Sequence, residues 1–596
     1  MRITKWIFFA YVMLVALIVA GIAVSFAMTP PRDPHTLHTT YGANIKSLDP
    51  SEINDTLGSA IAGQMYECLY NYQYNVRPYA LMPELAAALP QISADGKTVT
   101  IPIRKGIHFY DPDKIVFADG IGPEVKAKDF VYSFKRICNF QLASPQYSAI
   151  FEGKFDGLEE WWNYTKTTPA GQIDWDRPVK AFEAVDDYTL RLNLSSPYPQ
   201  LRYNLAHLPT AVVCRAAVEK YGPRQFRKHP IGTGPYCLKF SDHLPEQRIV
   251  LNVNPIYRGR PDADVTTVIA QSDRLPHIKR LQYDFFREPV PVWLLFLQGY
   301  FDLAGIPKDS YRQAISATGN LTPEMESKGI VLRKNVEPAT YYVGFNMHDP
   351  ILGNNRPLRQ AMSMAVDRQK FIENFLNGRG QPAIGPIPPG FPTFDPSRTN
   401  PFTRHDPDSA RKLIAEAEKI NGGPIPPITL LLGDTDTEAR QQADFFVSEM
   451  AQINITINPE YLTWARFQER VDSGQCQLFS LGWVADYPDE QTFLQLFYGR
   501  NATPGGINPC GYVNPQFDKL YEQAMVMNPS PQRDQLYIQM QQIVMEDCPW
   551  ISQFYPVVFS LSYNWIGNYG DMDYGYGMRQ YLTLDESART KALTKH

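Results

Sequence analysis

The stretch from residue 357 to residue 486 constrains the fold most, because helical spacing alternates there with short apolar runs. Leu358, Ala361, Met362, Ala365, Val366, Ile372, Phe375 and Leu376 recur at three- and four-residue steps, and Gly378 follows as a stop. That spacing predicts one helix over 357–376. Asp406 as N-cap with Pro407 behind it opens a second helix, which Gly422 and Gly423 end. The pattern then predicts a strand over 428–432, a helix over 437–453, a strand over 455–461, a helix over 464–472 and a strand over 478–483. Such alternation predicts βαβ crossovers and an α/β fold with a mostly parallel sheet. Ligands on sheets of this kind bind beyond the carboxyl ends of the strands, and Asp486 lies just past the last one.

Upstream the pattern is mixed. Asp95-Gly96 marks a turn flanked by strand-like sequence over 85–89 and 99–103, residues 128–137 have helical spacing, and Leu190, Leu192 and Leu194 alternate as on a half-buried strand. At 596 residues the chain has room for three to five structural units, or fewer large ones. The balance of 57 basic against 62 acidic residues, with no basic run, argues against nucleic acid as a partner.

The N-terminal segment directs the rest of the chain out of the cytoplasm. Arg2 and Lys5 precede an uncharged apolar run over 6–28, longer than the ~20 residues a membrane-crossing helix needs. Basic residues before it, and none after until Arg32, put the bulk of the chain on the outer face. A signal peptide cut after the small-x-small triplet Ser25-Phe26-Ala27 remains the alternative to a retained transmembrane anchor.

Seven cysteines are too few for a disulfide scaffold, and none pairs in a zinc-binding spacing. In an oxidising compartment Cys214 with Cys237 is the favoured bridge, with buried free thiols as the alternative. Catalytic motifs are missing: there is no GxSxG elbow, no HExxH, no phosphate loop and no dinucleotide fingerprint. Gly232-Thr233-Gly234-Pro235 reads as a tight turn and not an anion cradle, since its proline lacks an amide donor. No cofactor and no metal is expected, and an exported hydrolase is the least favoured reading.

Several segments, taken in order, carry a family resemblance. They are Ser47-Leu48-Asp49-Pro50; Met65-Tyr66-Glu67-Cys68-Leu69-Tyr70; Asp95-Gly96-Lys97-Thr98; Ile103-Arg104-Lys105-Gly106-Ile107-His108-Phe109; and the stretch over 125–136 containing Lys128-Asp129-Phe130-Val131-Tyr132-Ser133-Phe134. Pro230-Ile231-Gly232-Thr233-Gly234-Pro235-Tyr236, then Arg359-Gln360-Ala361 through Val366-Asp367-Arg368, and Gly482-Trp483-Val484-Ala485-Asp486-Tyr487 complete the set. Over 37–565 the chain resembles the extracytoplasmic solute-binding proteins of family 5, the oligopeptide- and dipeptide-binding group of ABC transporters.

The resemblance implies a two-lobed periplasmic-binding-protein fold of the class with an extra subdomain. It would place 1–33 in the anchor or signal segment with its linker, and 34–75, 195–335 and 554–596 in the first lobe. Residues 76–194 would form the extra subdomain and 336–553 the second lobe, with two extended crossings as the hinge. It also implies a monomer that captures a short peptide and hands it to ABC permease subunits, held at the membrane by its N-terminal segment. Binders of nickel chelates, opines or sugars, or a tethered sensor, are the alternative on the same fold.

By the same resemblance Asp486 pairs with the peptide's α-ammonium. A local turn cap is the competing role. Trp483 and Tyr487 flank it as cleft walls, with packing as the alternative for Trp483, while Tyr341, Tyr342 and Asn346 belong to the segment that enters the second lobe. The peptide backbone would join the protein as an added strand. Basic residues that receive the peptide carboxylate in relatives have no counterpart in Gln475-Cys476-Gln477-Leu478-Phe479-Ser480; Arg466 and Arg470 lie upstream. That anchor stays unassigned.

Overall fold

The computed structural model describes residues 33, 35–76, 79–259, 275–316, 318–570 and 574–593. The apolar run over 6–28 lies outside them, and no helix among the described residues is long and apolar enough to cross a membrane.

Two large sheets organise the chain. In the first, Thr36–Tyr41 runs parallel to Arg280–Phe285, which pairs antiparallel with Arg248–Val253. The second is eight-stranded, in the order Leu303–Gly305, Trp550–Tyr563, Ala339–Phe345, Leu478–Val484, Ile428–Leu432, Ile457–Tyr461, with Ile330–Val336 and Gly380–Pro382 also on the long strand. The fourteen-residue strand Trp550–Tyr563 changes partner along its length. Its first part pairs with Ala339–Phe345 and its last part with Ile330–Val336, the switch falling at the link Glu337-Pro338. A third, four-stranded antiparallel sheet holds Gln91–Ile92, Thr98–Pro102, Thr189–Asn193 and Phe182–Asp186.

The βαβ alternation is present, but the sheet is mixed and not mostly parallel. Only Ile428–Leu432 with its neighbours Ile457–Tyr461 and Leu478–Val484 pairs parallel. The antiparallel partners, Ala339–Phe345 and Trp550–Tyr563, enter from before and after the alternating stretch, where local periodicity carries no information about them. The predicted helix over 357–376 is two helices, Arg356–Ala365 and Arg368–Leu376. Val366 is extended, and the Asp367 carboxylate accepts the Lys370 amide, so a fresh N-cap outcompetes a continuous helix. The helix Pro407–Asn421 starts on its Asp406 cap and ends on Gly422 at φ 77, as read from the sequence.

Several of the resembling motifs turn out to be architectural. Arg359 spends its guanidinium on the carbonyls of Leu352, Gly353, Asp547 and Cys548. Arg368 spends its own on those of Ser552, Ser363, Val366 and Thr403, and burial lowers its pKa to about 10. Asp49 caps the turn Pro50–Glu52 and takes both Nη atoms of Arg136, at 3.1 and 2.5 Å, joining that turn to the helix Ala127–Ile137. A Cβ on Gly232 would stand 2.1 Å from the Met65 carbonyl oxygen, so the Gly-Thr-Gly turn exists for a backbone crossing.

All seven cysteines are free and buried, which overturns the Cys214–Cys237 bridge. The Cys237 sulfur faces the carbonyls of Asn252 and Val253 within its own sheet, and Cys214 packs in the core at the start of the helix Arg215–Tyr221. Burial pushes the two thiols up to about 12 and about 11, so both act as small apolar side chains.

Candidate functional site

The strand Leu478–Val484 pairs along its whole length with Ala339–Phe345, yet meets Ile428–Leu432 only at Leu478 and Phe479. Past Phe479 its second edge has no partner strand among the described residues. Alternate N–H and C=O groups of residues 480–484 therefore point into open space. Just past Ile428–Leu432, Gly433 packs so closely on Trp464 that a Cβ there would stand 2.8 Å from the ring.

Beside this bare edge lies a cavity of about 420 Å³. One wall comes from Asn54, Asp55, Ser59, His207 and Tyr576; the facing wall carries Tyr341, Trp464, Gln468, Asp472, Trp483 and Asp486. Gly482 makes the floor possible. A Cβ there would fall 2.8 Å from the Tyr341 ring, which lies flat against Phe554 with centroids 4.8 Å apart.

Asp486 sits two residues past the end of the strand. Its backbone N–H donates to Thr492 Oγ1 at 3.1 Å, and Trp483 Nε1 donates to the same oxygen at 3.4 Å. His207 Nε2 stands 3.6 Å from Asp486 Oδ1. Burial raises the Asp486 pKa against the opposing pull of His207 and Thr492, and burial lowers that of His207 against the pull of Asp486. Desolvation thus holds both groups toward their neutral forms. Two further contacts tie the walls together: Gln468 Nε2 donates to Asn54 Oδ1 at 3.0 Å, and Lys46 reaches Asp472 at 3.4 Å.

The structure brings Asp486, Trp483, Tyr341 and Tyr342 to the cavity. It does not bring Tyr487 or Asn346 there. Tyr487 points the other way, stacked on Tyr203 and bonded to Gln491. Asn346 donates to the carbonyls of Cys476 and Gly474 and accepts the His348 amide, so it is spent on a turn. His207, Asp55, Gln468, Asp472 and Tyr576 were not read from the sequence. Each is a lone polar residue in an unremarkable setting, and only the fold collects them. No group of three or more His, Cys, Asp or Glu side chains poised for a metal occurs among the described residues.

Comparison with known proteins converges on one group. Residues 80–505 match the family model described as bacterial extracellular solute-binding proteins, family 5 Middle. The periplasmic oligopeptide-binding protein OppA of Escherichia coli (strain K12) is 26% identical over 590 residues, covering 96% of this chain and 97% of that protein. A glutathione-binding protein, GsiB, of Escherichia coli O6:K15:H31 (strain 536 / UPEC) is 24% identical, covering 90% and 92%. Among solved structures, the periplasmic binding protein DppA from Helicobacter pylori, in complex with the peptide STSA, superposes with a TM-score of 0.75 at 21% identity, covering 92% of this chain and 98% of that one. The shared fold is the two-lobed one.

Proposed function

We propose a function from one premise: this chain belongs to the bacterial extracellular solute-binding proteins of family 5. It is a binding protein of an ABC importer and not an enzyme. In our reading it takes short peptides into the cavity between its lobes and presents them to a permease. The observation that carries this is the unpaired edge over 480–484 running toward Asp486. A peptide laid along that edge gains main-chain hydrogen bonds that do not depend on its sequence. Its α-ammonium then reaches the Asp486 carboxylate, where a charge-assisted bond in a half-buried site is strong.

The same reading makes Glu337-Pro338 and the facing part of Trp550–Tyr563 the hinge, since the long strand changes partner there. The first lobe would then comprise 34–75, 195–335 and 554–596, with 76–194 as its extra subdomain, and the second lobe 336–553. Closure about such a hinge buries the ligand. The run over 6–28 would tether the protein, working as a monomer, to the outer face of the membrane.

The test is native mass spectrometry of the gently purified protein, followed by calorimetry with trialanine and N-acetyl-trialanine. A co-purifying peptide, and binding that weakens markedly but measurably on acetylation, are expected. A carried non-peptide solute with no response to either tripeptide would replace this reading with another ligand class.

A further inference from the structure

The cavity wall has a one-sided charge inventory. Asp55, Asp434, Asp472 and Asp486 line it, and no lysine or arginine does among the described residues. Lys46 pairs with Asp472 at 3.4 Å and also acts on Asp55 through its charge, and His207 stands by Asp486. One polar atom in the same wall has no protein partner among the described residues: Gln468 Oε1, on a side chain only 6% exposed. Because Gln468 already donates through Nε2, what it has left to offer is an acceptor.

Acceptors and carboxylates taken out of water without donors are costly, and a ligand that supplies N–H groups offsets that cost. We propose that this cleft selects peptides that carry positive charge beyond their α-ammonium, the lysine- and arginine-containing ones, and disfavours acidic peptides. This inference rests on the peptide-binding reading above and adds the ligand class. Asp486 takes the α-ammonium, while Asp55 and Asp434, which each accept local backbone amides through Oδ1, keep their second oxygen for a side-chain ammonium or guanidinium. The ligand's own carboxyl end finds no lysine or arginine on the wall, so amidating it removes a repulsion and no bond.

Burial raises the carboxyl pKa values of Asp55 and Asp472 against the pull of the Gly58 amide and Lys46 at Asp55 and of Lys46 at Asp472, and a bound cation would add to that pull.

The experiment is calorimetry on the full chain with Ala-Lys-Ala, Ala-Ala-Ala and Ala-Glu-Ala, each as free acid and C-terminal amide, repeated in Asp55→Asn and Asp434→Asn. Asparagine preserves the helix cap that Asp55 provides, and melting temperatures verify that both variants fold. We expect Ala-Lys-Ala to bind at least tenfold tighter than Ala-Ala-Ala, and Ala-Glu-Ala at least tenfold weaker. Each amide should bind no weaker than its acid, and at least one variant should shrink the lysine preference severalfold. Equal affinities for the lysine and glutamate peptides, or a preference unmoved in both variants, would overturn the inference while leaving peptide binding intact. Failure of all the peptides to bind would remove the peptide reading itself, and this inference with it.

Discussion

His207 and Asp486 face one another across the cavity at 3.6 Å, an imidazole from one wall against a carboxylate from the other. Asp486 has no lysine or arginine ion-pair partner among the described residues, and burial moves both groups toward neutrality. An arriving ammonium changes that balance, because a fixed positive charge adds to the pull of His207 and Thr492 toward the ionised carboxylate.

Replacing Asp486 with asparagine keeps the shape and removes the charge. Binding of free-amine peptides should weaken by roughly 2–4 kcal/mol, the scale for truncating one side of a desolvated charge pair. N-acetylated peptides should lose almost nothing. Calorimetry on both peptide forms checks this, and equal losses for the two would take Asp486 out of ammonium recognition.

Peptide affinity should also fall on the acid side. Asp486 is raised above its ordinary value, and the ligand needs the ionised form, so binding is full above that raised value and is lost as pH drops through it. In the empty protein His207 has the opposite sign of shift. Being lowered, it takes up a proton more readily unfolded than folded, so stability falls as pH drops below about 6.5. His207→Asn should flatten that fall in melts recorded between pH 7 and pH 5. An unchanged pH profile would show that the imidazole is not held neutral.

Arg136→Met should destabilise the fold without touching the cavity. It strands Asp49, which is fully buried and loses two charge-assisted bonds, at a cost of about 3–5 kcal/mol. Urea unfolding measures it. A loss under ~1 kcal/mol would mean that water or a rearranged donor replaces the guanidinium.

Gly482→Ala tests the cavity floor. The new methyl would meet the Tyr341 ring at 2.8 Å, so strand or ring must move, at a cost on the order of 1–3 kcal/mol. Because that ring lines the cavity, ligand affinity should drop along with the melting temperature. Full affinity in a stable variant would show that the floor tolerates displacement.

Legibility in the sequence followed the range of the interactions. The helix Pro407–Asn421 was readable because its cap Asp406, its Pro407 and its stop Gly422 all act within a few residues. The break between Val366 and Arg368 was missed, although Asp367 is a cap signal, because an unbroken apolar stripe spans it. The antiparallel pairing of Ala339–Phe345 with Leu478–Val484 joins segments more than a hundred residues apart, and nothing local announces it.

The site divides the same way. Asp486 was visible through the resemblance and its place after a strand, Trp483 through the resemblance alone, and both line the cavity. Tyr487 and Asn346 share those segments but are spent elsewhere, Tyr487 on Tyr203 and Gln491 and Asn346 on the carbonyls of Gly474 and Cys476. His207 and Asp55 had no pattern at all, and only the three-dimensional approach of the walls gives them a part.

The central claim is that a peptide lies as an added strand on residues 480–484 with its amino end at Asp486. A crystal structure of the complex with Ala-Lys-Ala tests it most directly. We predict main-chain hydrogen bonds from the ligand to that edge and the α-ammonium within about 3 Å of an Asp486 carboxylate oxygen. A ligand bound elsewhere, or one whose amino end turns to solvent while its carboxyl end meets Asp486, would contradict the account.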